Sequence, residues 1–87
     1  MPKILAGEIR EEYQIPPFFT NNMLETLVSD SMYYFQKLYN GVDFDTDRSA
    51  RELLKVRVFY AYNKRLDEFA ENYANDIVRW QMQYVEE

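Results

Sequence analysis

The chain has no cysteine and no histidine, and only 2 glycines and 3 prolines among its 87 residues. Without cysteine there is no disulfide framework, no thiol nucleophile and no zinc-finger spacing. Without histidine there is no imidazole for acid–base catalysis near neutral pH. Two glycines are too few for a loop that cradles a phosphate. No apolar run approaches the roughly 20 residues needed to cross a bilayer, and Met1 to Ala6 is too short for a signal peptide. The expectation is a soluble, unexported protein without cofactor or membrane partner. Carboxylate pairs could still do chemistry without histidine, but nothing marks such a pair, and the chain reads as a non-enzyme.

What is present is acid and aromatic. Fifteen acids against 10 bases give a formal charge of −5, which disfavours non-specific binding to nucleic acid. Eight tyrosines, 6 phenylalanines and 1 tryptophan make 17% of the chain. A chain this short buries only about 60% of its unfolded surface, so it has difficulty hiding so many rings. Tyrosine is at home in interfaces, and the composition points to self-association or a protein partner.

The periodicity predicts one all-α domain over 1–87, a small bundle of three to four helices with a long broken C-terminal helical spine and an extended linker at 14–20. Lys3 to Tyr13 reads as a first helix, with Pro2 in its first turn, Leu5, Ile9 and Tyr13 inward, and Glu8, Glu11 and Glu12 outward. Pro16 and Pro17 forbid its continuation, and Phe18 and Phe19 are expected to pack on the core or on a partner, with the core favoured. A second helix is predicted from a cap near Asn22 with Glu25, and Leu24, Val28, Ser31, Phe35 and Leu38 form its stripe. Asn40 and Gly41 end it, with Gly41 able to take the left-handed conformation. Short connections predict antiparallel packing of this helix on the spine.

Between them, Asp43, Asp45 and Asp47 alternate. An EF-hand loop starting at Asp43 would need glycine and glutamate where Arg48 and Leu54 stand, so that reading fails. The acids instead favour the N-terminus of the next helix.

The spine runs from Ser49 to Tyr84. Ser49 and Glu52 match a capping box, and the apolar run Leu53 to Tyr62 surrounds the helix nearly completely, implying burial on more than one side. Val56, Val58, Tyr60 and Tyr62 also alternate as a strand would. The good helix formers Glu52 to Lys55 favour helix. A break is expected near Asn63, since one unbroken helix of about 35 residues would reach roughly 50 Å. Leu66, Phe69, Tyr73, Ile77, Trp80 and Tyr84 then fall at steps of three and four. The expected core comprises Leu24, Val28, Phe35, Leu38, Leu54, Val58, Leu66, Phe69, Tyr73 and Ile77.

The run LLKVRVFYAYNKRLDEF, followed by ENYANDIVRWQ, resembles the C-terminal part of the small head-to-tail connector (adaptor) proteins of tailed bacteriophages. In that family an apolar, aromatic helix leads through a short polar break into a final helix, and Leu66, Phe69, Asn72 with Tyr73, and Gln81 occupy the matching positions. The resemblance covers the last half of the chain closely and the rest in outline. It implies a structural virion protein, made in the host cytoplasm and located at the head–tail interface. Such a protein assembles as a ring, expected to be dodecameric, below the portal protein. The ring extends the channel for passing DNA and offers a docking surface for the tail or a downstream connector protein.

Arg48, Arg51 and Lys55 share a helical face, with Arg57 nearby. They read either as a solvated face or as a docking surface for acids of a neighbouring subunit, for which Asp43, Asp45 and Asp47 are candidates. Tyr60, Tyr62 and Trp80 are the candidate aromatic anchors. Two other readings fit length and charge: a small acidic regulator that binds a host protein as a DNA mimic or inhibitor, and a plain helical dimerisation module. The bases interleaved from Arg48 to Arg65 argue against a mimic.

Overall fold

The computed structural model describes residues 1–84 and is all-helical over them. Five helices follow one another: α1 (Pro2–Tyr13), α2 (Asn21–Leu38), α3 (Arg48–Tyr62), α4 (Leu66–Asn72) and α5 (Ala74–Met82). Pro2 lies in the first turn of α1, where its missing N–H would have no partner anyway. Helix α1 stops at Gln14, which turns left-handed at φ 54°, and the two prolines follow.

Helices α1, α2 and α3 form an up–down–up layer. Contacts between α1 and α3 rise together along both chains, since Glu8 meets Arg51, Glu12 meets Lys55 and the Tyr13 ring stacks on Phe59. These two helices are therefore parallel. Helix α2 runs opposite to α3, with Ser31 bonded to Arg57 and Phe19, just before α2, edge-on to Tyr62 at the far end of α3. Helices α4 and α5 then return along α3, because Phe69 packs on Tyr60 while Trp80 reaches Asp47.

In place of a long spine, the Ser49–Tyr84 segment is three helices, the last two folded back. The break falls at 63–65 as expected, and Asn63 ends α3: its side-chain amide donates to the Phe59 carbonyl. Lys64 takes the left-handed conformation at φ 59°, which reverses the chain. A second interruption at Tyr73 separates α4 from α5, and the stripe continues across it.

The core is Leu5, Ile9, Leu24, Val28, Phe35, Leu54, Val58, Phe69, Ile77 and Trp80, with Ile15, Phe44, Ala50 and Leu53 around them. Leu38 and Leu66, expected inside, are 36% and 38% exposed. Leu38 ends α2 and Leu66 begins α4. Tyr73 is half-buried. Of the two linker phenylalanines expected on the core, Phe19 packs on Tyr62 while Phe18 is 81% exposed.

The caps also differ from the sequence pattern. Thr20, not Asn22, caps α2 by accepting from the Met23 N–H. Asp47, not Ser49, caps α3 by accepting from the Ala50 N–H at 3.0 Å. Gly41 has no positive φ. It gives room instead, since a Cβ there would lie 3.3 Å from the Tyr39 ring.

Candidate functional site

The bases singled out in the sequence are brought together on α3, where they serve their own chain. Glu8 and Glu12 are four apart on α1, as Arg51 and Lys55 are on α3, so parallel packing sets the two pairs side by side. Lys55 is buried, and its ammonium lies 2.9 Å from Glu8, 2.9 Å from Glu12 and 3.8 Å from Glu52. Arg51 pairs with Glu8 and also donates to the Phe44 carbonyl at 3.0 Å. The hydrogen bond from Arg51, then that from Lys55, holds the Glu8 carboxyl below its ordinary range. Burial alone would push the Lys55 ammonium down, but hydrogen bonds to Glu8 and Glu12 outweigh it and the net direction is up.

Arg57 turns to α2. It donates to the buried Ser31 hydroxyl at 2.9 Å, and its guanidinium stacks 4.2 Å from the Tyr34 ring centre. Burial pushes its pKa down. Arg48 is exposed.

The three alternating acids are also occupied within the chain. Asp43 accepts from the Asp45 N–H at 2.9 Å, a turn closed by an aspartate side chain. Asp45 lies 3.8 Å from Arg51, with its side chain 71% exposed. Asp47 caps α3 with one oxygen and accepts from the Trp80 indole with the other, at 2.8 Å.

The aromatic candidates divide. Trp80, expected to face a partner, is 2% exposed and packs edge-on against Phe35. In this conformation it is a core residue and not an anchor. Tyr60 is half-buried between Phe69 and Tyr73, and Tyr62 between Phe19 and Phe59.

Two residues important to the surface gave no strong sequence signal. Arg10 points its guanidinium into the linker, donating to the carbonyls of Ile15 (3.2 Å), Pro16 (3.0 Å) and Phe19 (2.7 Å) and to Asn21 Oδ1 (2.9 Å). Phe18 stands out from the loop so fixed. The matched spacing of Glu8–Glu12 and Arg51–Lys55 marks the α1–α3 ladder only once the two helices are known to pack in parallel; nothing local pointed to Arg10.

Two open clefts mark the surface. One of about 490 Å³ lies between α3 and α5, lined by Ser49, Leu53, Asp76, Arg79, Trp80 and Gln83. Another of about 550 Å³ lies at the α3–α4 break, lined by Phe59, Tyr60, Asn63, Arg65 and Glu68. Among the described residues no cluster of three or more acids could hold a metal ion, and no helix is long and apolar enough to cross a membrane. No protein-family profile, curated protein or solved structure matches the chain.

Proposed function

We propose that this chain is a structural virion protein, a head-to-tail connector that assembles as a ring below the portal of a tailed phage. The ring extends the DNA channel and presents a docking surface to the tail or to the next connector protein. The observation that carries the reading is the connector-like C-terminal half. An apolar, aromatic helix (α3), a polar break at 63–65 and a closing helical segment bear Leu66, Phe69, Asn72, Tyr73 and Gln81 in the family's order. In this reading subunits pack around α3, with α4 and α5 folded back along it.

Charge supports it. Arg51, Lys55 and Arg57 are engaged inside the domain, while Glu11, Asp30, Asp43, Asp67, Glu71 and Asp76 are exposed. An acidic surface repels the phosphate backbone and lets DNA pass without sticking. Exposed Phe18, Val78 and Met82 offer apolar contact to neighbouring subunits or the portal.

The deciding experiment is quantitative mass spectrometry on phage particles purified from the host that carries this gene, counting this chain against the major capsid protein. About a dozen copies per particle fits a cyclic ring. Absence from particles, with abundant protein in the cell, sinks the reading.

Arg57, turned inward onto Ser31 and Tyr34 without a salt-bridged acid among the described residues, favours a second reading, the acidic regulator, since it removes one of the bases that the sequence alone placed against a DNA mimic. That reading requires tight binding to a DNA-binding host protein, with DNA as a competitor.

A further inference from the structure

Phe18 is more exposed than any other large apolar side chain among the described residues, at 81%. It is nonetheless held in place. Pro16 to Phe19 form a tight turn closed by the Phe19 N–H donating to the Pro16 carbonyl at 3.1 Å. Pro17 stands at the second position, where proline pre-sets the backbone, and Phe18 follows at the third. The Arg10 guanidinium takes the carbonyls on both sides of the turn, at Pro16 and Phe19. An aromatic ring on a fixed turn loses little freedom on docking. Its surroundings carry no acid: residues 14–23 read QIPPFFTNNM, and the charge at the turn is the Arg10 guanidinium, in a chain whose formal charge is −5.

The cleft between α3 and α5 has the complementary character. The outer edges of the core residues Leu53 and Trp80, 9% and 2% exposed, form its apolar floor, Ser49 and Gln83 give neutral polar walls, and its two charged residues, Asp76 and Arg79, pair with each other at 3.6 Å. Its volume of about 490 Å³ has room for a phenyl ring. The ring cannot come from the same copy. Phe19, next to Phe18, packs on Tyr62, the last residue of α3, whereas Ser49 is the second residue of that helix. Helix α3 spans about 20 Å between them.

We infer that Phe18 of one copy seats in the Ser49–Trp80 cleft of the next, a head-to-tail contact between copies of this chain. Two acidic copies repel through most of their surface, whereas here neither half is acidic: the knob has the Arg10 cation beside it and the cleft's Asp76 and Arg79 balance each other. Knob and cleft lie at opposite ends of α3, so the contact is heterologous. Repeated, it closes into a ring or runs on as a filament. This deepens the connector reading: the contact stands on the geometry, and its place in a virion rests on that reading.

Sedimentation velocity on the full chain, from about 1 μM to about 1 mM, tests it with two variants at exposed positions. Phe18→Ala removes the knob and Ser49→Tyr fills the cleft; circular dichroism verifies that both fold. The wild type is expected to grow past the dimer with concentration, and each variant to self-associate about 10- to 100-fold more weakly. An equimolar mixture of the two variants still has one intact knob and one intact cleft, so it should form a dimer that does not grow. A wild type that stays monomeric throughout, a variant that assembles like the wild type, or a mixture that does not dimerise overturns the contact. Growth in solution with no copies in phage particles keeps the contact and ends the connector reading. Rings in particles that still incorporate Phe18→Ala do the reverse.

Discussion

Asp47 and Trp80, from opposite sides of the domain's C-terminal half, share one hydrogen bond of 2.8 Å, and through it the start of α3 and the end of α5 are a single unit. The other Asp47 oxygen caps α3 at Ala50. One carboxylate thus closes a helix and satisfies the indole of a tryptophan that is 2% exposed.

Replacing Asp47 with alanine removes both roles. The lost cap is worth about 1 kcal/mol, and the buried N–H left without a partner about 1–3 kcal/mol. Urea denaturation should show a loss of about 2–4 kcal/mol in total. In a Trp80→Phe background the same substitution should cost only the cap, and additive losses in that cycle would show that the two residues are not coupled.

The α1–α3 ladder sets the pH dependence. Arg51, then Lys55, hold the Glu8 carboxyl below its ordinary value of 4.5. The folded form therefore binds that proton less readily than the unfolded chain does. The resulting stability is complete above about pH 4.5 and is lost as pH falls through the lower folded value. Lys55 has the opposite sign. Burial lowers it, but Glu8 and Glu12 raise it more, so its stability is complete below about pH 10.5 and is lost as pH rises through the folded value. Glu8→Gln should lower stability at neutral pH by about 0.5–1 kcal/mol, discounted for its solvent exposure. Its Tm should also fall less between neutral pH and pH 3 than that of the wild type. Parallel Tm curves for the two proteins would remove Glu8 from the acid response.

Arg10 fixes the 14–20 linker by a planar fork that meets four acceptors. Lysine carries the charge but not the fork. Arg10→Lys and Arg10→Ala should therefore both open the linker. Limited chymotrypsin digestion should cut after Phe18 or Phe19 much faster than in the wild type, with helical circular dichroism nearly unchanged. Equal cutting rates would show that the prolines alone hold the turn.

The parts of the fold legible in the sequence are those set by local spacing. The stripe Leu24, Val28 and Phe35, the stop at Pro16 and the break near Asn63 need only neighbours along the chain. What the sequence could not show is which faces meet. Glu8 and Glu12 read as solvent-facing because nothing in α1 reveals Arg51 and Lys55 across from them. Ser49 and Asp47 are comparable caps by residue type; Asp47 takes the role, and its second oxygen accepts from the Trp80 indole, a contact far along the chain. Trp80, chosen as an anchor for its residue type, packs instead on Phe35 in the core. Leu38 and Leu66 kept the helical period but stand at helix ends and are exposed. The candidate surface was legible as a set of residues, while their pairing within one chain depended on the parallel packing of α1 on α3.

The reversal at Lys64 was the least legible feature, because the chain places a lysine, not a glycine, at φ 59°. A side chain in that conformation brings Cβ close to the following carbonyl, which costs roughly 1–2 kcal/mol. Glycine has no such penalty but loses more backbone freedom on folding, by about 0.5–1 kcal/mol. The difference favours Lys64→Gly, with a gain of about 0.5–1 kcal/mol in stability. Lys64→Val, β-branched and poorly suited to the left-handed region, should lose stability by a similar amount or more. If urea denaturation ranks glycine above lysine and lysine above valine, the fold-back of α4 and α5 is present in solution. A continuous helix from α3 through α4 would invert the first step, because glycine inside a helix is about 1 kcal/mol worse than the lysine it replaces.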